Sequence, residues 1–281
     1  MRGLGHNVTI LEARNDIGGR IRTNRDLTLP LDLGASWIHG DIDNPLNALA
    51  RHQQLRTVPT SDTFVVRGAG GTELRGRDVP RWLNRVATIQ HSAGANLREI
   101  NVLAYAFDRD YQGEDLMVAG GYDQLLQSLV GGLDLRLNWQ VSEINHSPGS
   151  AAIRGADGGR LTFDAVVVTL PLGVLKAGRV AFDPPLPSQK QTAIQALGMG
   201  VLDKVYLKYR NVFWDAETTW ILTPDTGLPQ GQFNQWLNLY PYTGEPVIMA
   251  FNGGQPARDL SGRSDSEIVE MATSVLARTY A

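Results

Sequence analysis

Glu12 closes a short apolar, β-branched run, Asn7 to Glu12 (NVTILE), and Gly18, Gly19 and Arg20 follow it closely. A carboxylate at the end of a strand can accept two hydroxyl hydrogen bonds. Glycines let a backbone approach phosphate closely, and arginine adds a planar fork of donors. That is the chemistry of a dinucleotide-binding βαβ unit. There a glycine-rich turn holds the pyrophosphate, and an acidic residue about 20 positions later binds the ribose. Counting back that distance from Glu12 lands before residue 1, so this sequence does not hold the glycine turn. Met1 to His6 then reads as the end of the helix between the two strands. In the alternative reading Glu12 only ends an ordinary buried strand.

Two further side chains could do chemistry. His39 stands in the segment WIHG, with Asp41 and Asp43 just beyond it, and Lys204 lies in the strand-like run Val201 to Tyr209. Each has a plainer reading, as a structural histidine, a solvated acidic loop and a surface lysine. No pair of residues stands out as an acid–base couple. The chain has no cysteine, which excludes disulfides, thiolate metal sites and a cysteine nucleophile, and no metal site is expected. Its 26 basic and 29 acidic residues give a net charge of −3, so neither nucleic acid nor an anionic membrane is an expected partner. No apolar signal core opens the chain, and the longest strongly apolar stretch, Ala165 to Leu175, is too short to span a bilayer. A reducing, cytoplasmic setting is expected.

The elements that must carry these residues alternate between strand and helix. Asn44 and Pro45 start a helix that runs to His52. Thr63 to Arg67 reads as a strand, Pro80 to Ala104 as patchy helix, and Tyr122 to Val130 as an amphipathic helix. Strands are expected at Asp134–Leu137, Val141–Asn145, Ala151–Arg154, Leu161–Phe163 and Ala165–Thr169, with a hairpin turn at Gly155–Gly159. The side chains of Val166, Val167 and Val168 read as plain core. Ser188 to Leu197 reads as helix, followed by strands at Val201–Tyr209, Thr218–Leu222, Gln232–Leu239 and Pro246–Phe251. Ser264 and Glu267 form a capping box for a last helix to Tyr280, with Ile268, Met271, Val275 and Leu276 on its inner stripe.

Several of these segments, in collinear order, resemble the flavin-dependent amine oxidases, nearest to polyamine-oxidase-like and histone-demethylase-like members. They are LEARNDIGGRIRT (Leu11–Thr23), DLGASWIHG with NPL (Asp32–Gly40, Asn44–Leu46), MVAGGY (Met117–Tyr122), LRLNWQVSEI (Leu135–Ile144), FDAVVVTLPLGVLK (Phe163–Lys176) and the stretch Phe182–Tyr209. The resemblance implies FAD as cofactor. It assigns Glu12, Ala13, Arg14, Gly18, Gly19, Arg20 and Arg22 to the ribose and pyrophosphate, and Gly34, Ala35, Ser36 and Trp37 to the flavin ring. Val141 falls to the adenine, and Thr169 and Pro171 to the cofactor backbone contacts. It also implies that His39 faces the amine channel and that Lys204 holds a water against the flavin.

The implied fold is α/β. Residues 1–54 and 117–181 would form a Rossmann-like FAD-binding domain, incomplete here. Residues 55–116 and 182–281 would form a discontinuous α+β substrate domain on a mixed sheet. The sequence departs from the pattern in the absent glycine turn, the absent closing Gly–Glu segment, and a shortened stretch between Arg75 and Gly120. A parallel sheet without its first strand would expose apolar edges, so low stability or aggregation is expected. The implied reaction is oxidation of a polyamine-like amine to an imine, with oxygen reduced to hydrogen peroxide. The partners would be a small amine and oxygen, and the oligomeric state is left open. Two alternatives stand beside it: an inactive truncated fragment, and another flavoprotein oxidoreductase of the same superfamily.

Overall fold

The computed structural model describes residues 2–101, 103 and 111–281. The first strands are β1 (Thr9–Leu11), β2 (Thr23–Asn24), β3 (Leu31–Asp32) and β4 (Trp37–Ile38). The helix Pro45–His52 follows, then β5 (Thr57–Pro59) and β6 (Phe64–Val66). The middle of the chain contributes β7 (Leu116–Val118), the helix Gln124–Val130, β8 (Asp134–Arg136), β9 (Val141–Ser147), β10 (Ser150–Gly155) and β11 (Arg160–Phe163). After the short helix Leu172–Lys176 come β12 (Ala181–Asp183), the helix Ser188–Ala196, β13 (Leu202–Lys208), β14 (Trp220–Leu222), β15 (Gln235–Asn238) and β16 (Val247–Gly253). Helices Gln255–Leu260 and Asp265–Tyr280 close the chain.

The largest sheet has the order β13-β16-β15-β14-β6 and is mixed: β14 pairs β6 in parallel, and the other pairs are antiparallel. Its inner strand β16 (VIMAFNG) is buried at every residue, because both of its faces are covered. On one face Trp236, Ile248 and Ala250 pack on Ala272, Val275 and Leu276 of the last helix. Burying each large apolar side chain of this kind is worth about 1.5–3 kcal/mol. That helix starts where Ser264 accepts from the Glu267 amide and Glu267 reaches back, the expected capping box. On the other face Leu237, Met249 and Phe251 pack on Leu29 and Leu31, with Trp37 and Tyr206 beside them. This second face turns the sheet towards the glycine-rich segments.

The strand β1 pairs in parallel with β8, Leu11 opposite Arg136. A four-stranded sheet, β11-β10-β9-β12, packs Ile144 and Ile153 against Leu11, Val141 and Leu170. The three-stranded sheet β4-β7-β5 and the pair β2-β3 complete the topology. The chain is thus α/β, with a parallel Rossmann-type pair on one side and a mixed sheet on the other. No described helix is long and apolar enough to cross a membrane.

Two expectations fail. Ala165–Thr169 forms no strand, and Val166, Val167 and Val168 are 39%, 62% and 41% exposed instead of packed in the core. No strand among the described residues pairs with this run, so no described strand covers its valines. The helical stretch from Pro80 is also shorter than its periodicity suggests. It runs as helix Arg81–Arg85, a π turn Val86–Gln90 and a last turn His91–Ala93, then stops at Gly94, whose φ of 58° is left-handed. The expected end at Val102 and Ala104 lies outside the described residues, as does Met1.

An exposed apolar run drives self-association. Val167→Lys is therefore expected to reduce aggregation of the purified chain, read by light scattering, and to leave its melting temperature within a degree or two. Unchanged scattering would show that these valines are covered in solution.

Candidate functional site

The parallel pairing of β1 and β8 carries Glu12 to a corner. Its amide donates to Arg136 O (2.9 Å), its carbonyl accepts from Trp139 N (2.8 Å), and Asn138 N reaches Arg14 O (2.7 Å). The Glu12 side chain is half-buried. Its Oε1 accepts from the Arg14 amide at 2.9 Å, and the other oxygen makes no hydrogen bond among the described residues. One carboxylate oxygen is therefore fixed and one is free to take a hydroxyl. Ala13 and Arg14 are exposed beside it.

The next turn depends on glycine. Gly18 has a φ of 108°, and a Cβ there would stand 2.5 Å from Ile21 O. The segment then doubles back along the DLGAS stretch, Leu33 N bonding Arg22 O (2.8 Å) and Ala35 N bonding Arg20 O (3.1 Å). At the crossing a Cβ on Gly34 would lie 1.8 Å from Arg20 O, so no other residue fits there. Gly19, Arg20 and Ala35 remain exposed, which leaves a ledge where the two segments cross, beside Ser36. Such a ledge suits the close approach of a flat, phosphate-bearing group.

Lys204 closes the far end of the ledge. It stands on β13 opposite Phe251 and points to the same side as Tyr206. Its Nζ donates to Asp32 O (3.1 Å), to Gly34 O and to Ser36 Oγ (2.5 Å), and lies 5.7 Å from the centre of the Trp37 ring. An ammonium has three protons, and here all three have oxygen partners. Burial pushes the Lys204 pKa down to about 8, against the opposing pull of the Asp32 carboxylate. Burial in turn raises the Asp32 carboxyl, although Thr23 Oγ1 (2.6 Å) and Tyr122 N (3.0 Å) donate to it. Tyr206 OH donates to Asp32 O at 2.7 Å. By contrast Lys208 pairs with Glu245 at 2.8 Å on the surface. A cavity of about 270 Å³, lined by Leu31, Asp32, Ser36, Trp37, Tyr206 and Met249 among others, lies between the loop and the sheet.

Trp37 and His39 form a second corner. Trp37 stacks 6.1 Å from Trp220 and lies tilted 6.3 Å from Phe251, and Phe251 lies 6.1 Å from His91. His39 is exposed and stacks 6.2 Å from Trp37. Its Nδ1 is 2.8 Å from Asp115 Oδ2, while Asp115 Oδ1 accepts from the Gly40 amide at 2.9 Å. The sequence offers no partner for His39, and the structure supplies Asp115. The partners are 76 residues apart, and only the pairing of β4 with β7, Ile38 opposite Leu116, sets them side by side.

The structure brings Gly18–Arg20, Gly34–Trp37 and Lys204 into one band, with Glu12 upstream of it at the corner of β1 and β8. Val141 opens β9 in the cluster that holds Leu11 and Leu170, so it sits near the Glu12 strand. Thr169 and Pro171 are exposed, flanking Leu170 of that cluster. Sequence reasoning missed Asp115. It also missed His91, which is buried, bonds Gln235 Oε1 through Nδ1 at 2.6 Å and has its pKa lowered by burial. Asp41 is tied to the fold by accepting from the Glu114 amide at 3.0 Å.

The shift on Lys204 gives a test. Between its folded value of about 8 and the ordinary 10.5, the unfolded chain binds the additional proton, so this lysine makes stability rise with pH across that window. Urea denaturation is expected to show that rise in the wild type and to lose that part of it in Lys204→Met. Identical pH profiles for the two proteins would refute the burial.

Comparison with known proteins fits this geometry. A family model described as flavin containing amine oxidoreductase matches residues 1–105 and 91–281. A probable polyamine oxidase 4 of Arabidopsis thaliana is 29% identical over 92% of this chain. The aligned region is 64% of that relative's length, so the chain spans less than two thirds of it. A lysine-specific histone demethylase 1 homolog 3 from the same organism is 34% identical over 73% of the chain and 13% of its own length. A solved putrescine oxidase triple mutant superposes with a TM-score of 0.71 at 17% identity, covering all of this chain and 77% of that one, a likeness of fold. On the match that spans its whole length, the chain belongs to the flavin-containing amine oxidoreductase family.

Proposed function

We propose that this chain holds FAD along the band from Glu12 to Lys204 and takes part in oxidising a polyamine-like amine to an imine, with oxygen as the final acceptor and hydrogen peroxide as product. The observation that carries the reading is the three-oxygen anchor of Lys204 on Asp32, Gly34 and Ser36, beside the exposed residues Gly19, Arg20 and Ala35. The polyamine class is supported by the relatives named polyamine oxidase and by the carboxylates of Asp41, Glu114 and Asp115 around His39.

Bound there, FAD would supply the redox chemistry of the amine's oxidation. The chain's own residues do the rest. The free oxygen of Glu12 takes a ribose hydroxyl, with Ala13 and Arg14 beside it. Gly18, Gly19 and Arg20 admit and pair the pyrophosphate. Gly34, Ala35 and Ser36 offer a flat floor to the ring, and Trp37 walls its edge. Val141, with Thr169 and Pro171, supplies backbone contacts at the adenosine end and along the cofactor. Lys204 would place a positive charge beside the flavin, and a buried charge of this kind acts strongly. With its donors committed, Ser36 Oγ is the group through which Lys204 reaches a water. His39 meets the amine. In this reading residues 1–54 and 117–181 serve FAD, and 55–116 with 182–281 serve the substrate.

The test is direct. Purified chain incubated with FAD is expected to be yellow and to quench flavin fluorescence, and to release peroxide with spermine or spermidine. A hydrogen bond to a charged group is worth about 1.5–3 kcal/mol, so Glu12→Ala is expected to weaken FAD binding by at least about tenfold. A colourless chain that leaves flavin fluorescence unchanged would end this reading.

A further inference from the structure

The cavity of about 270 Å³ between the DLGAS loop and the mixed sheet has a floor, a mouth and an inner wall. The floor is Tyr206, Met249 and Leu237, side by side on β13, β16 and β15. Leu31, Val58 and Met117 line it as well. Leu31, Leu237, Leu239 and Met249 are buried, whereas Arg56, Gly120 and Thr243 are exposed, so the cavity opens at these last three. The inner wall is Asp32, Ser36 and Trp37, from the segment that anchors Lys204. Ser36 Oγ is 2.5 Å from Lys204 Nζ, and the Trp37 ring is 5.7 Å from it. Gly19, Arg20, Ala35, His39 and Lys204 are not among the lining residues. The cavity is therefore a space apart from the exposed ledge, with Ser36 and Trp37 as its wall towards the anchor.

The polar groups of a cavity decide what it takes up, and here they are already engaged. Tyr206 OH donates to Asp32 O, and the Asp32 carboxylate accepts from Thr23 and from the Tyr122 amide. Ser36 Oγ meets Lys204, Tyr242 OH meets Ser61 N and Thr219, and Thr243 Oγ1 donates to Leu239 O. Among the described residues, the buried polar side-chain atoms without a partner belong to His91, Tyr209, Gln232 and Asn252, and none of these lines the cavity. An ordered water needs about two to four free polar partners, and this space offers few. A cationic amine would find Arg56 at the mouth and, inside, an Asp32 carboxyl that burial pushes towards its neutral form. A small, neutral, apolar molecule leaves water for such a space at no polar cost, and apolar cavities stay dry and bind gases such as xenon.

We propose that this cavity is the entrance for dioxygen. It draws the gas from solvent at Arg56 and Thr243, concentrates it over Leu237 and Met249, and delivers it past Ser36 and Trp37 to the Lys204 anchor. The inference rests on the flavin-dependent oxidation proposed above. The cavity itself supplies neither electrons nor protons. Each dioxygen delivered takes two electrons from the reduced cofactor and two protons, and leaves as hydrogen peroxide. The amine keeps the open side by His39, so the two substrates enter from different directions and neither has to wait for the other to leave.

Two measurements test it, and the first needs neither FAD nor amine. Xenon under pressure is expected to shift the methyl signals of Leu31, Leu237 and Met249 in the labelled chain, saturably and ahead of methyls elsewhere. Val58→Phe fills the cavity and is expected to abolish those shifts. Leu239→Ala enlarges it and is expected to strengthen them. Cavity methyls that do not move in the wild type overturn the proposal. The second measurement follows oxygen itself. FAD-loaded chain is reduced with dithionite, so that no amine is needed, and mixed with oxygenated buffer. Val58→Phe is expected to slow flavin reoxidation several-fold, with Leu239→Ala no slower than the wild type. The rate at which spermidine bleaches the flavin without oxygen is expected to be the same in all three. Reoxidation of Val58→Phe at the wild-type rate overturns the oxygen route. An equal loss in bleaching and reoxidation also overturns it, because that marks damage to the fold. A loaded wild type that oxygen reoxidises and no amine bleaches overturns the amine reading alone. A chain that takes up no FAD overturns the flavin reading and the delivery with it, while the xenon shifts still decide whether the cavity is a gas site.

Discussion

An ammonium taken out of water must find oxygen atoms, and Lys204 finds them all on one stretch, Asp32 to Ser36. Everything around it follows from that requirement. The carbonyls of Asp32 and Gly34 can face the lysine only if the DLGAS segment lies flat against the sheet. It lies flat because Gly34 has no side chain to collide with Arg20 O. Tyr206, two residues on along β13, donates to the same Asp32 carbonyl and fixes the distance between strand and loop. The Asp32 carboxylate holds Thr23 and Tyr122, which brings in β2 and the turn before the helix Gln124–Val130. One buried cation thus joins the mixed sheet to the glycine-rich segments.

The second corner is built by strand pairing. The two-residue strand β4 carries Trp37 and Ile38 against β7. The residue just past β4 in the chain meets the residue just before β7, so His39 faces Asp115. The pair is exposed, and an exposed polar pair adds little to stability. Its place in the fold comes from the ladder and from the Asn44 and Thr60 hydrogen bonds, which hold the backbone on either side.

Much of this was legible in the sequence because the signals are local. The Asn44 cap, the Ser264 box, the helix Gln124–Val130 and the strands of the large sheet each depend on neighbours within a turn or two. Glycines 18 and 34 were also legible, through the chemistry that needs a bare backbone. What was not legible depends on pairing across long stretches. Nothing near residue 115 in sequence shows that it will meet residue 39. His91 reads as one more polar position in a ragged helix until β15 places Gln235 against it. Val166 to Val168 have the composition of a core strand, and composition cannot reveal that no neighbouring strand covers them among the described residues.

The strand β16 has a consequence for how this protein can vary. Its alternate residues serve different purposes: Met249 and Phe251 floor the aromatic shelf and the lysine anchor, while Ile248 and Ala250 meet the closing helix. With no solvent-facing side, the strand has no position where a change is absorbed freely. Drift in the helix face must be matched by residues that do not shift the shelf, and refinement of substrate fit must respect the helix. Diversity among proteins built this way should therefore collect in the loops around the shelf, with the strand itself as the quiet part of the molecule.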